Sequence, residues 1–589
     1  MLSRSFWIAL GAISIAFHLW LIFSGLIPNL VSRPLHMALA LPWVLIFAAK
    51  TSFHRYTGTV LCFVGLTACL WVVFNAEALG DQYGYLENRT QILPAVTLLI
   101  VVLEMARRAI GWPLPLVALL ALVYGIFGHL VPGEFGYAGL PLQSFLGTLT
   151  IAEGGIWGKL TGVSVSIVAI FVIFGAVLNA GEAGQGFMNL AALAAGRLRA
   201  GAAKVSVLSS ALFGSISGSA SANVASTGAV TLPAMIRLGY PKSLAGAVEA
   251  VASSGGQIMP PLMGAGAFVM VELTGVPYTG IMAAALLPAL LFFFAVWIGI
   301  DAFSLRHDLK GLPKDERPAA KTALTTAAFF LVPFSVLLWG MFVAGYTPQF
   351  AACLSIIVGA VLLVLDGRLT FDARRTFSRL EKVCLTTGQQ IGTIASIILC
   401  ASIIIGVLGI TGLGVKITSL ILSGSGGYLW PALLLTALAC LVLGMEVPTT
   451  AAYVICVSVA GPALIDLGLA PLQAHLFIFW FALLSTITPP VCGAVFIAAG
   501  MVGENWLKVA GSAMALGIGL YLIPLGMIAN PALIELGAQP LLAVLSAVKV
   551  AIGLALISFG VIAPKGLVLR AVAVAVGLLV LLWPFLISS

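Results

Sequence analysis

The sequence contains little charge: only 8% of its 589 residues are Asp, Glu, Lys or Arg, whereas 61% are hydrophobic. A soluble domain of this length carries charge at about a quarter of its positions, so a soluble globular protein is excluded. Many apolar runs reach the ~20 residues with which a helix crosses a bilayer. Because a helix satisfies its own backbone hydrogen bonds in lipid, the sequence predicts an all-α, polytopic membrane protein surrounded by membrane lipid.

Residue patterns typical of metal, redox or nucleic-acid chemistry are also missing. None of the eight cysteines forms a CxxC pair, and the six histidines have no ligand spacing. The net charge of +8 comes from residues between apolar segments, which indicates membrane orientation and no nucleic-acid partner. We therefore expect no cofactor, no disulfide and an uncleaved first helix.

The apolar segments predict about 15 transmembrane helices. We expect them near 7–28, 35–49, 57–75, 91–106, 113–132, 163–181, 244–274, 280–300, 322–344, 349–366, 388–410, 472–501, 509–530, 541–562 and 567–587. Two further apolar stretches, 205–236 and 429–465, are interrupted midway by polar, glycine- or proline-bearing residues. We interpret both as re-entrant hairpins, which enter and leave the membrane on one side.

The distribution of positive charge supports this arrangement. With the N-terminus in the cytoplasm, 23 of the 28 Lys and Arg residues fall in inside loops and four fall outside. If either hairpin were a full crossing, every later loop would change sides and the bias would collapse. The pattern predicts a cytoplasmic N-terminus and a C-terminus on the opposite side. The polar loops 301–321 and 367–382 are predicted to lie in the cytoplasm and to link helical bundles.

Four polar motifs interrupt the apolar segments. They are Gly214–Gly228, Ser253–Pro261, Gly444–Thr450 and Ser485–Pro490. They form two pairs, because each hairpin tip precedes a crossing broken at a double proline. The spacing is 42 positions from Gly218 to Pro260 and 41 from Pro448 to Pro489. The two halves are therefore predicted to be inverted repeats, as in many secondary transporters.

The residue types in these motifs suit the binding of small ions. Double proline frees backbone carbonyls, which can coordinate Na⁺, and Ser and Thr hydroxyls add oxygen ligands. The N-termini of the half-helices attract an anionic group. Small residues in membrane helices also serve close helix packing, which is the alternative for each motif alone. Two matched pairs at nearly equal spacing favour a binding site.

Two carboxylates accompany the motifs. Glu446 lies in the second hairpin tip and is a candidate proton carrier or cation ligand. Glu249 lies one to two turns before the first break. Its two candidate roles are fixing the hairpin by hydrogen bonding and coupling transport to protons.

The motifs resemble one family over nearly the whole chain. The matching segments are Ser217–Ala220, Glu249–Ala250, Ser254–Gly264, Val276–Tyr278, Pro448–Tyr453, Ala474–Phe477 and Ile487–Pro490. The chain resembles a fused membrane permease, small plus large subunit, of the tripartite ATP-independent periplasmic (TRAP) transporters, TAXI subgroup.

The resemblance implies a domain organisation and an elevator mechanism. Residues 1–112 resemble the small four-helix subunit, 113–540 the large transporting subunit, and 541–589 a two-helix extension. A mobile domain with both hairpins and both broken helices would carry substrate past a scaffold. The resemblance also implies a bacterial inner membrane, a periplasmic C-terminus and a periplasmic substrate-binding protein. It implies symport of small organic acids, often dicarboxylates, with Na⁺ or H⁺.

The resemblance carries substrate and cation roles to the matching positions. These are Ser217, Gly218, Ser219, Asn223, Gly255, Gly256, Gln257, Pro260, Pro448, Thr449, Thr450, Thr486, Thr488 and Pro489. The family usually has glycine where this chain has Glu446, and we hypothesise that this carboxylate favours coupling to H⁺.

Two other functions were weighed against transport. An intramembrane serine protease needs a GxSG motif, which Gly214–Gly218 does not provide, and no aspartate pair has the pattern of an aspartyl protease. An enzyme is therefore not expected. A channel, or a carrier that needs no binding protein, also fits inversely related broken helices and remains the alternative.

Overall fold

The computed structural model describes residues 3–444, 448–490 and 492–583, and every regular element within these ranges is a helix. The predicted all-α class is confirmed. The N-terminal part contains α1 (Arg4–Phe23), α2 (Asn29–Pro42), α3 (Ser52–Phe74), α4 (Ala76–Gly80) and α5 (Arg89–Ile110). A π-helical segment, Trp43–Phe47, extends α2.

Among the described residues, two series of ten α-helices follow. The first is α6 (Pro113–Phe127), α7 (Leu142–Thr150), α8 (Lys159–Val163), α9 (Ala169–Ala180), α10 (Ala183–Ala195), α11 (Gly201–Ser217), α12 (Ala220–Arg237), α13 (Lys242–Gly255), α14 (Ala265–Thr274) and α15 (Tyr278–His307). The second is α16 (Ala320–Phe342), α17 (Pro348–Leu362), α18 (Ala373–Thr411), α19 (Leu413–Gly424), α20 (Leu429–Leu443), α21 (Thr449–Asp466), α22 (Pro471–Leu484), α23 (Gly493–Val502), α24 (Trp506–Leu516) and α25 (Ile518–Ala529). The chain ends with α26 (Pro540–Ile562) and α27 (Leu567–Leu582).

Each series contains a helical hairpin followed by a broken helix. The first hairpin is α11–α12, and the broken helix is α13–α14. The second hairpin is α20–α21, and the broken helix is α22–α23. The bounds of these elements agree within a few residues with the predicted hairpins and broken crossings, because dense clusters of glycine, serine and adjacent prolines weaken the helix at these positions.

Among the described residues, eleven helical stretches are both long and apolar enough to cross a membrane. The halves α14, α22 and α23 are individually too short for this test. Burial separates the long helices: 83% of the apolar stretch of α18 lies inside the protein, against 22% for α1. α18 is therefore a central helix, and it packs against α1, α2, α5, α6 and α9.

The helices differ from the predicted segments in several places, including the unpredicted α4 and α7 and the extension of α15 to His307. Residues 373–382, predicted to be part of a loop, form the first turns of α18, where the Asp372 carboxylate accepts hydrogen bonds from the N–H groups of Arg374 and Arg375. α10 and α19 were not predicted, since neither is long enough to appear as a crossing. The predicted crossing 509–530 is divided at Gly517 into α24 and α25.

Polar contacts join the N-terminal helices to the first series. His18 Nε2 lies 2.8 Å from His36 Nδ1, and His36 Nε2 lies 3.0 Å from Ser164 Oγ. All three side chains are buried. Ser164 begins a π-helical segment between α8 and α9. Nearby, the Arg33 guanidinium donates a hydrogen bond to the carbonyl of Trp157. These contacts hold α1 and α2 in fixed register against the rest of the chain.

The last two helices pack on each other, and α26 also packs on α15. Lys549 on α26 donates a hydrogen bond to Asn530 Oδ1 at 2.7 Å and another to the carbonyl of Trp583. Its charged group thus has partners within the protein, as an ionisable residue in an apolar helix requires.

Candidate functional site

The tip of the first hairpin is a tight turn between α11 and α12. Gly218 has φ of +61°, a conformation that glycine adopts without steric cost. The next residue, Ser219, caps α12, because its hydroxyl accepts a hydrogen bond from the N–H of Ala222 at 3.3 Å. The N-terminus of α12 therefore begins at the hairpin tip, which requires these small residues.

The two broken helices have matching local structure. α13 ends in a short 3-10 segment, Gly256–Ile258, and α14 begins after Gly264, whose N–H donates to the Gln257 carbonyl at 3.2 Å. In the second break, the N–H of Ala494 donates to the Thr486 carbonyl at 3.2 Å. Both breaks contain a cis Pro–Pro peptide bond, at Pro260–Pro261 and Pro489–Pro490.

The two breaks meet each other inside the protein. Ser254 Oγ on the first lies 2.9 Å from Thr486 Oγ1 on the second. The first break also contacts its own hairpin closely, because a Cβ on Gly256 would lie 2.5 Å from the Cα of Gly214. Real Cβ atoms essentially never approach this closely, so glycine is required at both positions. The motifs predicted from the sequence are thus brought together.

A cavity of about 730 Å³ lies where these elements converge. Eight of the predicted site residues line it: Ser217, Gly218, Ser219, Gln257, Pro448, Thr449, Thr450 and Thr486. Four helices start at its wall, namely α12, α14, α21 and α23. None of the described lining residues is charged.

The other predicted residues have different positions. Asn223 is buried, and its amide donates to the carbonyl of Ser210 at 2.9 Å, so that it ties α12 to α11. Thr488 Oγ1 lies 2.7 Å from the Tyr521 hydroxyl. Four predicted residues shape the breaks but are absent from the described lining of the cavity: Gly255, Gly256, Pro260 and Pro489. Glu446 lies outside the described residues.

Glu249 is fully buried on α13 and surrounded by hydroxyl groups. Its carboxylate accepts hydrogen bonds from Ser206 Oγ (2.7 Å), Ser210 Oγ (3.2 Å), Thr231 Oγ1 (2.5 Å), Ser253 Oγ (3.3 Å) and Thr227 Oγ1. These donors lie on both helices of the first hairpin and on α13, so the carboxylate joins the hairpin to the broken helix. We call these six residues the Glu249 cluster.

The second half has a smaller counterpart of this arrangement. His475 on α22 is buried, and its Nδ1 lies 2.7 Å from the hydroxyl of Tyr453 on α21. A buried polar side chain on the first half of each broken helix thus contacts the preceding hairpin. This agrees with the structural role expected for a buried, hydrogen-bonded histidine.

Part of the cavity wall was not predicted. Gln389, Gln390 and Thr393 of α18 line the cavity beside the hairpin tips. Two adjacent glutamines in an otherwise apolar segment were a usable signal for a polar cavity, but sequence alone does not tell which helix faces which motif. Ala109 and Ile110, at the end of α5, also contribute to the wall.

The described residues contain no group of three or more His, Cys, Asp or Glu side chains arranged to hold a metal ion. A cation bound at the breaks would be held by hydroxyl and carbonyl oxygens, which are hard ligands suited to Na⁺. An organic anion would be held by hydroxyls, the Gln257 amide and the helix N-termini.

Comparisons with known proteins find similar membrane transporters. Residues 97–542 match the family described as "Tripartite ATP-independent periplasmic transporter, DctM component". The chain is similar to the C4-dicarboxylate TRAP transporter large permease protein DctM of Pseudomonas aeruginosa, with 24% identity over 57% of this chain and 77% of that protein. It is also similar to the isethionate TRAP transporter permease protein DctMQ of Oleidesulfovibrio alaskensis, with 26% identity over 60% of this chain and 55% of that protein.

A third relative covers more of the chain. The ectoine/5-hydroxyectoine TRAP transporter large permease protein UehC of Ruegeria pomeroyi is 22% identical over 70% of this chain and 95% of its own length. Among solved structures, the YdaH transporter of Alcanivorax borkumensis aligns with a TM-score of 0.50 at 17% identity, covering 74% of this chain and 98% of that chain. This last likeness concerns the fold alone.

Proposed function

Because the chain belongs to the DctM component family of tripartite ATP-independent periplasmic transporters, we propose that it takes up small organic acid anions by cation-coupled secondary transport. The family consists of transporter permeases and not enzymes. A periplasmic substrate-binding protein would deliver the anion to the permease in the bacterial inner membrane.

The observation that carries this proposal is the convergence of four helix N-termini on the central cavity. Each N-terminus carries about half a positive charge, and the C-termini of α11, α20 and α22, which reach the same wall, carry the opposite partial charge. An anion would therefore bind at the N-termini and a cation at the C-terminal carbonyls. The low dielectric of a membrane protein interior strengthens this field. Since the described lining has no charged side chain, the field would come from the backbone. A small organic anion bound together with a cation is the ligand set that such a wall balances.

The cavity also has the size and polarity for such a ligand. Its volume of about 730 Å³ lies within the range of small-molecule pockets. Hydroxyls of Thr449 and Thr450 can donate hydrogen bonds to carboxylate oxygens, and the Gln257 amide offers a further donor. Similar permeases are named for C4-dicarboxylates, isethionate and ectoine, which are all small and polar.

We further propose that the chain is a fused permease of the TAXI subgroup. Residues 1–112 would be the small-subunit-like scaffold, 113–540 the transporting part and 541–589 an extension. The four long helices α1, α2, α3 and α5 support this division. The histidine pair His18 and His36, bonded to Ser164, would form part of the junction between scaffold and transporting part.

For the mechanism, we propose an elevator. The hairpin α11–α12 packs on α13 and α23, whereas α18 packs on the N-terminal helices and lines the other side of the cavity. The hairpins, which we propose to be re-entrant, and the broken helices would therefore move together against α18. The charge distribution supports a cytoplasmic N-terminus and a periplasmic C-terminus, and the coupling ion would be Na⁺ or H⁺.

Transport assays in proteoliposomes test this function. Radiolabelled C4–C5 organic acids would be offered with the purified binding protein added or omitted, under an imposed Na⁺ or H⁺ gradient. Uptake that needs both the binding protein and one gradient is expected. Equilibration without a gradient would instead indicate a channel, and uptake without the binding protein a self-sufficient carrier.

A matched pair of variants tests the location of the site. Thr486 lines the cavity, whereas Thr488, two residues further on, bonds to Tyr521. Thr486→Val should therefore raise the substrate KM more than Thr488→Val does. Equal effects of the two variants would argue against substrate binding at this wall.

A further inference from the structure

The Glu249 cluster has a composition that suits a reversible proton site. Every side chain that bonds the carboxylate is a hydroxyl, which can donate a hydrogen bond or accept one. Ser210 and Thr227 also contact each other at 3.1 Å, and Thr227 donates to the carbonyl of Asn223 at 2.8 Å. The hydroxyls can therefore rotate to satisfy either a carboxylate or a protonated carboxylic acid. Arginine or backbone N–H partners would satisfy the ionised form alone.

Cations on the neighbouring helices do not neutralise Glu249. Those on α11, α12 and α24 have acidic partners: Lys204 pairs with Asp301, Arg237 with Glu316, and Lys508 with Glu504. Lys242, at the start of α13, is exposed beside Gly503. Arg306 and His307 lie in the last turn of α15, and the Tyr240 hydroxyl contacts the N–H of Ala203. A buried carboxylate whose partners are neutral is free to exchange a proton.

A second cavity, of about 340 Å³, reaches the cluster. It lies between α10, α12 and the segment 312–318, and Arg237, Asp315 and Arg317 make part of its wall polar. Thr231 also lines this cavity, while its hydroxyl bonds Glu249 Oε2 at 2.5 Å. One hydroxyl group therefore separates the buried carboxylate from a polar cavity on the side that we assign to the cytoplasm.

We propose that Glu249 binds the coupling proton and exchanges it with the cytoplasm through Thr231. When the proton enters from this side, the Thr231 hydroxyl gives its proton to Glu249 Oε2, where an O–H bond forms. Thr231 takes a replacement proton from a hydronium ion in the second cavity, and that hydronium ion becomes water. Release is the reverse. Because α11, α12 and α13 pack on one another, the bound proton would move with the first hairpin. The inference rests on the proposed transport function and deepens its coupling step.

Two transport modes separate a proton site from a structural role. The full chain would be reconstituted with its binding protein, and radiolabelled succinate and 2-oxoglutarate would be the probes. With the membrane potential held at zero, a gradient of about one pH unit supports about tenfold accumulation for each coupled proton. Exchange of internal for external substrate at equal pH requires no net proton movement.

Three variants are compared in these modes. Glu249→Gln keeps the shape and hydrogen bonding of the side chain, and it should lose the pH-driven accumulation while retaining exchange. Thr231→Val should slow accumulation, since it removes the hydroxyl between carboxylate and cavity. Glu272→Gln is the matched control, because Glu272 lies at the end of α14 and its carboxylate faces Lys159 at 3.8 Å. It should leave both modes unchanged.

Accumulation by Glu249→Gln at the wild-type level would overturn the proposal. Loss of exchange together with accumulation would also overturn it, since the carboxylate would then serve only to fix the hairpin. A wild-type protein that accumulates neither probe under any gradient would count against the proposed function instead.

If the wild-type protein accumulates neither probe, a second measurement still tests whether Glu249 binds a proton. Infrared difference spectra of the purified full chain at two pH values record the carbonyl stretch of protonated carboxylic acids. A titrating band that is absent in Glu249→Gln and present in Glu272→Gln supports the proton site. An unchanged band in Glu249→Gln overturns it.

Discussion

The close contact between Gly214 and Gly256 leads to a specific prediction. In Gly256→Ala the new Cβ would lie 2.5 Å from the Cα of Gly214 and 2.9 Å from the carbonyl oxygen of Ser210. The backbone of Gly256 has φ of −58°, which alanine adopts without strain. The substitution therefore tests the contact between hairpin and broken helix and nothing else in the backbone.

The change in the free energy of unfolding of Gly256→Ala follows from two opposing effects. Adding a methyl group to a tightly packed site typically costs about 1–3 kcal/mol, and here both neighbours are backbone atoms that cannot rotate away. Replacing glycine by alanine at an allowed conformation returns about 0.4–1 kcal/mol by restricting the unfolded chain. We expect Gly256→Ala to be destabilised by about 1–2 kcal/mol on this balance, and the hairpin tip to be displaced from the cavity.

Gly511→Ala on α24 is the matched control, because a Cβ there meets nothing within 4 Å. The midpoint of SDS-induced unfolding in mixed micelles, followed by tryptophan fluorescence, measures stability, and uptake in proteoliposomes measures function. Gly256→Ala should unfold at lower SDS and transport more slowly than the control. The double variant Gly214→Ala/Gly256→Ala should be non-additive, since both methyl groups open the same contact. If Gly256→Ala and Gly511→Ala unfold together, the two backbones are not in contact.

Three further predictions concern stability. Lys549→Met should cost about 1–3 kcal/mol in the same SDS assay, because the buried Asn530 Oδ1 loses its donor, and an unchanged midpoint would contradict that bond. Tyr453→Phe should cost a similar amount by leaving His475 Nδ1 unsatisfied, whereas His475→Phe combined with it should add little. Asp366 lies in the loop before α18, where its carboxylate accepts hydrogen bonds from the N–H and the hydroxyl of Thr370. These and further hydrogen bonds hold the pKa of Asp366 well below its usual range. Its contribution to stability is therefore present above the ordinary carboxyl pKa and lost only as the pH falls through the lowered value. Asp366→Asn should lower the melting temperature at neutral pH and remove that part of the acid sensitivity, as scanning fluorimetry in detergent would show.

The sequence predicted those parts of the fold that local composition determines. The hairpin tip at Gly218 and the breaks at Pro260 and Pro489 follow from glycine in a left-handed conformation and from paired prolines, which disrupt a helix more than the single prolines inside other helices do. The first turns of α18 were missed because charged residues were interpreted as a loop, although Arg and Lys are good helix formers. Charge alone does not distinguish a solvent-exposed helix from a loop.

The candidate site was predictable to the level of its motifs. Two partner pairs of Glu249 were visible as hydroxyls four residues apart, Ser206/Ser210 and Thr227/Thr231, which lie on one face of a helix. Which face meets Glu249 depends on packing between helices that are distant in sequence. The same limit applies to Asn223, which matched the motif but bonds the hairpin backbone inside the protein.

The convergence of helix N-termini has a consequence for how this permease could change its substrate. A binding site built around an arginine loses its preference for anions when that one side chain is replaced. Here the preference would reside in the peptide backbone of α12, α14, α21 and α23, which no single substitution removes. Exchanges among the hydroxyl and amide side chains of the wall would then alter which acid fits while the demand for negative charge persists. Selection could in this way diversify the cargo of such a permease without passing through an inactive form.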